Sequence, residues 1–184
     1  MTLFAATLLV STVLLALGLA LLWSSPAIER LFKAFPRSQP AAVVFFGGSA
    51  VWFLYLITKL GPADFGDYRN YLVLIFGVVG VAAFFVTRDF LAVRGLAVLM
   101  LLMARLLLDA SLVYYPPPGT RDWLNAVVYI GIGLAIYFGS LPYQARDFFL
   151  WLFERRTRAR TLGFLCTAYG IGLAVLAISY HNKY

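Results

Sequence analysis

Long apolar runs alternate with short polar segments along this chain, and the pattern predicts six membrane-spanning helices. Each run is about 20 residues long, which is the length of helix that crosses a hydrocarbon core about 30 Å thick. In lipid the backbone must satisfy its own hydrogen bonds, so such runs predict helices rather than isolated strands. The predicted spans are residues 3–23, 41–60, 70–87, 91–115, 123–141 and 162–180. The sequence therefore predicts an all-α, polytopic helical bundle with a single transmembrane domain over residues 1–184.

The first apolar run has no basic residue before it and no small-residue cleavage site of the Ala-x-Ala kind after it. A secretory signal peptide normally carries both features and a shorter apolar region. We therefore interpret residues 3–23 as a retained span.

A short amphipathic helix is predicted between the first two spans. Ser25 can cap its amides and Pro26 suits its first turn. Apolar side chains then fall on one face and charged ones elsewhere, which is typical of a helix that lies in the membrane interface. The apolar face comprises Ile28, Leu31, Phe32 and Phe35, and the charged residues are Glu29, Arg30 and Lys33.

A second interfacial segment, residues 142–160, precedes the last span. Its aromatic residues between 148 and 153 lead into a basic cluster of Arg155, Arg156, Arg158 and Arg160. Near a membrane surface each basic group contributes about 1 kcal/mol of attraction to anionic lipid. The cluster predicts contact with anionic lipids of the inner leaflet or with an acidic partner, although the same charges also serve as an ordinary topology signal.

Composition places the chain among integral membrane proteins. Hydrophobic residues make up 62% of it and charged residues 12%, which is about half the charged share of a soluble domain. A water-soluble fold of 184 residues could not bury so much apolar surface, whereas lipid solvates the outer face of a helical bundle.

The net charge of +7 favours membrane topology over nucleic-acid binding, because the basic residues concentrate in alternate loops. With the N-terminus outside, the inner segments hold Arg30, Lys33, Arg37, Arg88, Arg94, Arg146, Arg155, Arg156, Arg158 and Arg160. The outer segments hold only Lys59, Arg69, Arg121 and Lys183. The positive-inside rule then predicts a multi-pass protein of the cell membrane with both termini outside.

Arg105 and Asp109 are the charged pair inside a predicted span. They are four residues apart and share one helix face. Counting from Leu91 at about 1.5 Å per residue places Arg105 roughly 21 Å and Asp109 roughly 27 Å into the core. One interpretation is a mutually neutralised pair, or a contact that ties the helix to a neighbour. The other is an ion-pair gate or an anchor for an anionic head group or solute.

Two similar polar pairs stand at the outer starts of the third and fifth spans. They are Asp67 with Asn70 and Asp122 with Asn125. The two aspartates are predicted to cap the first helical turns and to favour the positive end of each helix dipole. A polar rim that meets a solute is the alternative.

Small residues recur every fourth position in the last two spans. Such stripes let helix backbones approach closely, so they predict that spans five and six pack together. The stripes are Gly131, Ala135 and Gly139, and Cys166, Gly170 and Ala174.

Few residues in the chain could support catalysis or hold a cofactor. The one histidine, His181, lies beyond the last predicted span, and Cys166 is the one cysteine. We therefore expect no catalytic residue, no metal and no cofactor. The preferred hypothesis is a non-enzymatic accessory or scaffold subunit that contacts the bilayer, anionic lipids at the inner face and other membrane subunits, but no nucleic acid. The alternative is a transporter of a small solute or lipid with its site around Arg105 and Asp109.

Overall fold

A computed structural model describes residues 1–87, 89–113 and 120–181, and every regular element in these ranges is helical. Six stretches are long and apolar enough to cross a membrane. This confirms the predicted all-α bundle and identifies a multi-pass membrane protein. The candidate spans are Leu3–Trp23, Gln39–Thr58, Gly66–Val86, Leu91–Leu112, Arg121–Ser140 and Arg156–Ser179.

Nine α-helices make up the described part of the chain, together with short 3-10 and π-helical turns. The helices are α1 (Leu3–Trp23), α2 (Pro26–Ala34), α3 (Gln39–Ala42), α4 (Gly48–Thr58), α5 (Arg69–Val86), α6 (Leu91–Val113), α7 (Thr120–Ser140), α8 (Pro142–Glu154) and α9 (Arg156–His181). Residues 114 and 115 of the predicted fourth span lie outside the described residues, as do Arg88 and Lys183 of the charge count.

The predicted interfacial helix after the first span is present as α2. Its start is capped as expected, because the backbone amide of Ile28 donates to Ser25 Oγ at 3.3 Å. On its polar side Lys33 Nζ lies 2.6 Å from Glu29 Oε1. The second interfacial segment forms α8, and the chain turns at Arg155 into α9.

The second span contains an irregularity that the sequence pattern did not predict. Between α3 and α4 the chain forms a π-helical turn, Val43–Gly47. Such turns are rare and insert an extra residue into the helical ladder.

The start of the third span corrects the predicted cap. The capping position of α5 is Tyr68, and no side chain caps its amides. Asp67 lies instead in the 3-10 turn Gly66–Tyr68, which follows Phe65 in a left-handed conformation at φ 61°. This extra turn moves the start of α5 past Asp67, so the carboxylate is out of capping register.

The chain divides into two compact units. Unit 1 comprises Met1–Lys33, Met103–Gly133 and Asp147–Tyr184, and unit 2 comprises Ala34–Leu102 and Leu134–Arg146.

In unit 1 the most extensive helix contact joins α1 to α9. Gly18 of α1 lies against Thr167 and the carbonyl of Gly163, and Gly170 lies against Leu15. Ser11 Oγ donates a hydrogen bond to the Gly170 carbonyl at 2.8 Å, inside this contact. Small residues let the two backbones approach, as membrane helices often do.

The predicted contact between the fifth and sixth spans is present, because the Tyr169 hydroxyl of α9 donates a hydrogen bond to the Trp123 carbonyl of α7 at 2.7 Å and the two rings lie 5.9 Å apart. Two small residues of the predicted stripes, however, face other helices. The small residue Gly170 of α9 faces α1, and Gly139 of α7, in unit 2, lies beside Ala97 of α6. These two glycines therefore pack against helices other than the predicted ones. A stripe fixes which face of a helix is small and leaves open which neighbour fills it.

Unit 2 packs around the π-helical turn. Gly95 of α6 lies against the backbone of Phe45 and Phe46. The ring of Phe46 meets that of Phe84 edge-on with centroids 5.4 Å apart. Ala42, Leu91 and Ala92 complete a small buried cluster here.

Candidate functional surfaces

The charged pair of α6 lies on the surface of the molecule. Arg105 Nε is 4.0 Å from Asp109 Oδ2, a loose contact, and the side chains are 71% and 61% exposed. Leu112, one turn further on, is 71% exposed. The pair therefore points away from the protein interior.

The opposite face of the same helix segment is buried. Ala104, Leu107 and Ala110 join Leu3 of α1 and Leu124 of α7 in the largest apolar cluster of unit 1. Because this face is filled by close-packed side chains, α6 holds Arg105 and Asp109 outward by its helical geometry.

The two predicted polar pairs fall in different units. Asn70 is the second residue of α5, and its side chain is exposed like that of Asp67. Asp122 lies inside the first turn of α7, so it is not the cap residue, although a carboxylate there does favour the helix dipole. Asn125 is half-buried, and its Oδ1 is buried with no hydrogen-bond partner among the described residues. Within either unit, we see one aspartate–asparagine pair rather than a rim.

Arg158 holds the turn between α8 and α9. Its guanidinium donates to the Trp151 carbonyl at 2.9 Å and to Glu154 Oε2 at 2.6 Å. The same group lies 4.6 Å from the centroid of the Trp151 ring. Of the predicted lipid-contact arginines, Arg158 is thus engaged within the protein.

The other three arginines of this cluster, Arg155, Arg156 and Arg160, are exposed. The aromatic residues of α8, which precede these arginines in the chain, pack on α2. The centroid of the Phe32 ring is 5.5 Å from that of Phe149 and 5.7 Å from that of Phe153. The arrangement joins the two predicted interfacial helices and leaves three cationic groups open to the surroundings.

A groove of about 370 Å³ lies in unit 2, where α5 ends and α6 begins. Its polar lining is Thr87, Asp89 and Arg94, and its apolar lining is Phe85, Val86, Phe90 and Pro142. Arg37 lies over the Phe90 ring at 5.6 Å from its centroid. The sequence analysis uses Arg94 only in the count of inner basic residues. Its position one turn after the start of the fourth span was the signal that could have indicated a site.

A second groove, of about 270 Å³, lies between α4 and α5 and is almost wholly apolar. Ser49 lies on its wall but donates to the Phe46 carbonyl at 3.0 Å. The hydroxyl is therefore occupied by its own helix, and the groove presents hydrocarbon.

No group of three histidine, cysteine, aspartate or glutamate residues within the described ranges could hold a metal ion. No protein-family model, characterised protein or solved structure matches the chain.

Proposed function

We propose that this protein is a non-enzymatic subunit of a larger membrane assembly and that the face of α6 with Arg105 and Asp109 contacts another membrane protein. The observation that carries the proposal is the outward exposure of both charged side chains on a helix that crosses the membrane.

An exposed charge at this depth is unfavourable in lipid. Insertion scales assign about 2.5–3.5 kcal/mol to a single charged residue at the centre of a span. The 4.0 Å contact between Arg105 and Asp109 offsets part of this and leaves most hydrogen-bonding groups of both side chains unsatisfied. Polar groups of a neighbouring protein would satisfy them, as interhelical hydrogen bonds do in membrane bundles.

The third span is exposed too, but its exposed surface differs in chemistry from the charged face of α6. None of the residues in the window that identifies the third span is buried, yet its exposed surface is hydrocarbon, which lipid solvates without penalty. The apolar face of α5 therefore needs no protein partner. The α6 face differs because it is charged.

The geometry favours a subunit over a transporter. A solute site or an ion-pair gate needs polar side chains that face a cavity within the protein. Arg105 and Asp109 face outward, and they line neither of the two grooves of unit 2. We therefore place the transport hypothesis second.

For the orientation we propose that both termini lie outside, as the charge count indicates. The α6 pair then lies in the outer third of the bilayer. A fusion of alkaline phosphatase to the N-terminus and, separately, to the C-terminus should be active in both cases. Activity at one end alone would show an odd number of spans.

The subunit proposal is tested by photocrosslinking in the native membrane. A photoreactive amino acid at Leu112 should link the chain to another membrane protein, which mass spectrometry then identifies. A matched control is Ile178, which is 56% exposed near the C-terminal end of α9. A photoreactive amino acid at this position should link mainly to lipid. Gentle extraction followed by native mass spectrometry should show that protein in fixed stoichiometry. Recovery of the chain alone, or only as a homo-oligomer, would overturn the proposal.

A further inference from the structure

The groove between the ends of α5 and α6 combines opposite charges with an apolar wall. Arg94 and Asp89 both line it, together with the exposed side chains of Phe85 and Val86. It belongs wholly to unit 2. Because it is separate from the α6 face that carries Arg105, a ligand in this groove would be independent of the proposed subunit function.

Arg94 is held in an unusual state for an arginine. Its side chain is only half-exposed, and its guanidinium has no ion pair or hydrogen bond with any described residue. Arginine carries five donors and stays charged at any physiological pH. A half-buried guanidinium without an acceptor is poised to bind a planar or tetrahedral oxyanion.

Asp89 provides the opposite charge at the rim. Its side chain is exposed, and it too lacks an ion pair with the residues described. A carboxylate accepts hydrogen bonds and repels a second anion. A ligand that fits both residues therefore carries an anionic group for Arg94 and a hydrogen-bond-donating cation for Asp89.

The depth of the groove matches a lipid head group. Arg94 stands three residues into α6, which places it about 4.5 Å above the start of the span. The apolar residues Phe85 and Val86 belong to the last turn of α5, at the level where acyl chains begin. By the number of spans, this is the membrane side that also carries α2 and α8.

We propose that this groove binds a phospholipid of the phosphatidylethanolamine type. Its phosphodiester accepts hydrogen bonds from Arg94, its ammonium group donates to Asp89, and its acyl chains run along Phe85 and Val86. Basic pockets between membrane helices hold lipid phosphates in this way.

The ethanolamine head group fits better than choline or glycerol. A quaternary ammonium has no N–H to donate to Asp89, and one cation, that of Arg37, already lies over the Phe90 ring, where a choline group would otherwise bind. A glycerol head group can donate to Asp89, but it brings no positive charge to balance the carboxylate.

The test is a competition between lipids on the purified full chain in detergent. The protein is mixed with equimolar phosphatidylethanolamine, phosphatidylglycerol and phosphatidylcholine that have the same acyl chains, and retained lipid is counted by native mass spectrometry. Phosphatidylethanolamine should be retained about tenfold more than phosphatidylcholine, which corresponds to one or two charge-assisted hydrogen bonds.

Variants assign the two ends of the head group. Arg94→Gln should lower retention of phosphatidylethanolamine about tenfold. Asp89→Asn should abolish the preference over phosphatidylcholine while phosphate binding persists. The matched control is Arg69→Gln, which removes an exposed arginine at the other end of α5 and should change neither quantity. If Arg94→Gln does not fold, the preference of the unaltered chain still decides.

A water-soluble head group distinguishes lipid from free phosphate. Glycerophosphoethanolamine, which lacks acyl chains, should compete only weakly, because it cannot use the apolar wall. Equal retention of phosphatidylethanolamine and phosphatidylcholine by the unaltered chain, or phosphatidylethanolamine retention unchanged by Arg94→Gln, would overturn the proposal. Equally strong competition by inorganic phosphate would also overturn it, by showing a phosphate site rather than a lipid site.

Discussion

Gly95 of α6 lies directly against the backbone of Phe46, within the π-helical turn Val43–Gly47. A methyl group at position 95 would overlap the Phe46 amide nitrogen and Cα. Backbone atoms cannot rotate away as the end of a flexible side chain can. The crossing of α6 with the second span therefore depends on this glycine and on the shape of the turn.

We expect Gly95→Ala to destabilise the protein. Overpacking of this kind costs about 1–3 kcal/mol, and the midpoint of thermal unfolding in detergent should fall accordingly. The matched control is Gly77→Ala, because a methyl there would meet no atom within 4 Å. Equal midpoints for the two variants would show that α6 and the turn separate without penalty.

Much of this architecture could be predicted from apolar runs alone, because lipid forces each run of about 20 residues into a helix. The π-helical turn could not, since Val43–Gly47 is as apolar as the regular helix around it. The sequence also predicts Asp67 as the cap of α5. The left-handed Phe65 adds a 3-10 turn that contains Asp67, so α5 starts two residues later. The sequence pattern also could not predict which helix packs against a small-residue stripe, as Gly170 shows. Helical spacing identifies a face of the helix and carries no information about what covers that face.

The geometry of the candidate sites could likewise be predicted from the sequence only in part. The outward position of Arg105 follows from which face of α6 the core fills, and that depends on residues such as Leu3 and Leu124 far away in sequence. The engaged state of Arg158 could be anticipated in part, since Glu154 precedes it by four residues. The contact of Arg158 with the Trp151 carbonyl depends on the turn at Arg155, and the sequence alone could not predict it.

Ser11→Ala should loosen the α1–α9 contact. The variant removes the buried hydrogen bond to the Gly170 carbonyl, which is worth about 0.5–1.5 kcal/mol in a membrane bundle. Cys166, the one cysteine of the chain, lies half-buried in α9 and reports opening through its rate of labelling by a thiol-reactive dye. The rate should rise in Ser11→Ala. Thr12→Ala, which loses only a bond to Leu8 of the same helix, should leave the rate unchanged.

Arg158→Gln should release the turn between α8 and α9, because it removes the ion pair to Glu154 and the cation above the Trp151 ring. The emission of Trp151, measured in a variant whose other three tryptophans are replaced by phenylalanine, should shift. Arg160→Gln changes an exposed arginine of the same cluster and should have no effect on the emission. A shift of equal size in both variants would contradict the structural role of Arg158.

The three exposed arginines should instead govern binding to anionic lipid. Replacing Arg155, Arg156 and Arg160 with glutamine removes attraction of about 1 kcal/mol per residue. Retention of phosphatidylglycerol by the purified protein should fall, and the difference from the unaltered chain should shrink as salt increases. Replacing Arg69, Arg121 and Lys59, which belong to the opposite membrane side by the number of spans, is the control for total charge.

Removing the charged pair of α6 tests its role most directly. Arg105→Leu with Asp109→Leu makes this face apolar. In lipid there is no hydrophobic driving force between helices, so the variant face loses the polar contacts that would hold a partner. The partner protein should then be lost from the extracted complex by about tenfold or more, while the thermal midpoint of the chain itself is kept or raised. Exchange of the charges, Arg105→Asp with Asp109→Arg, preserves the pair but reverses its direction, and a partner with fixed polar groups should again be released.

The control for these variants is another pair with the same spacing. Glu29 and Lys33 form an i,i+4 ion pair in α2, and Glu29→Lys with Lys33→Glu should leave the partner in place. Full retention of the partner after removal of the α6 charges would mean that this face meets lipid. If charge exchange alone released the partner while the leucine variant kept it, the pair would act by repelling wrong neighbours, and the attractive contact would lie elsewhere on the chain.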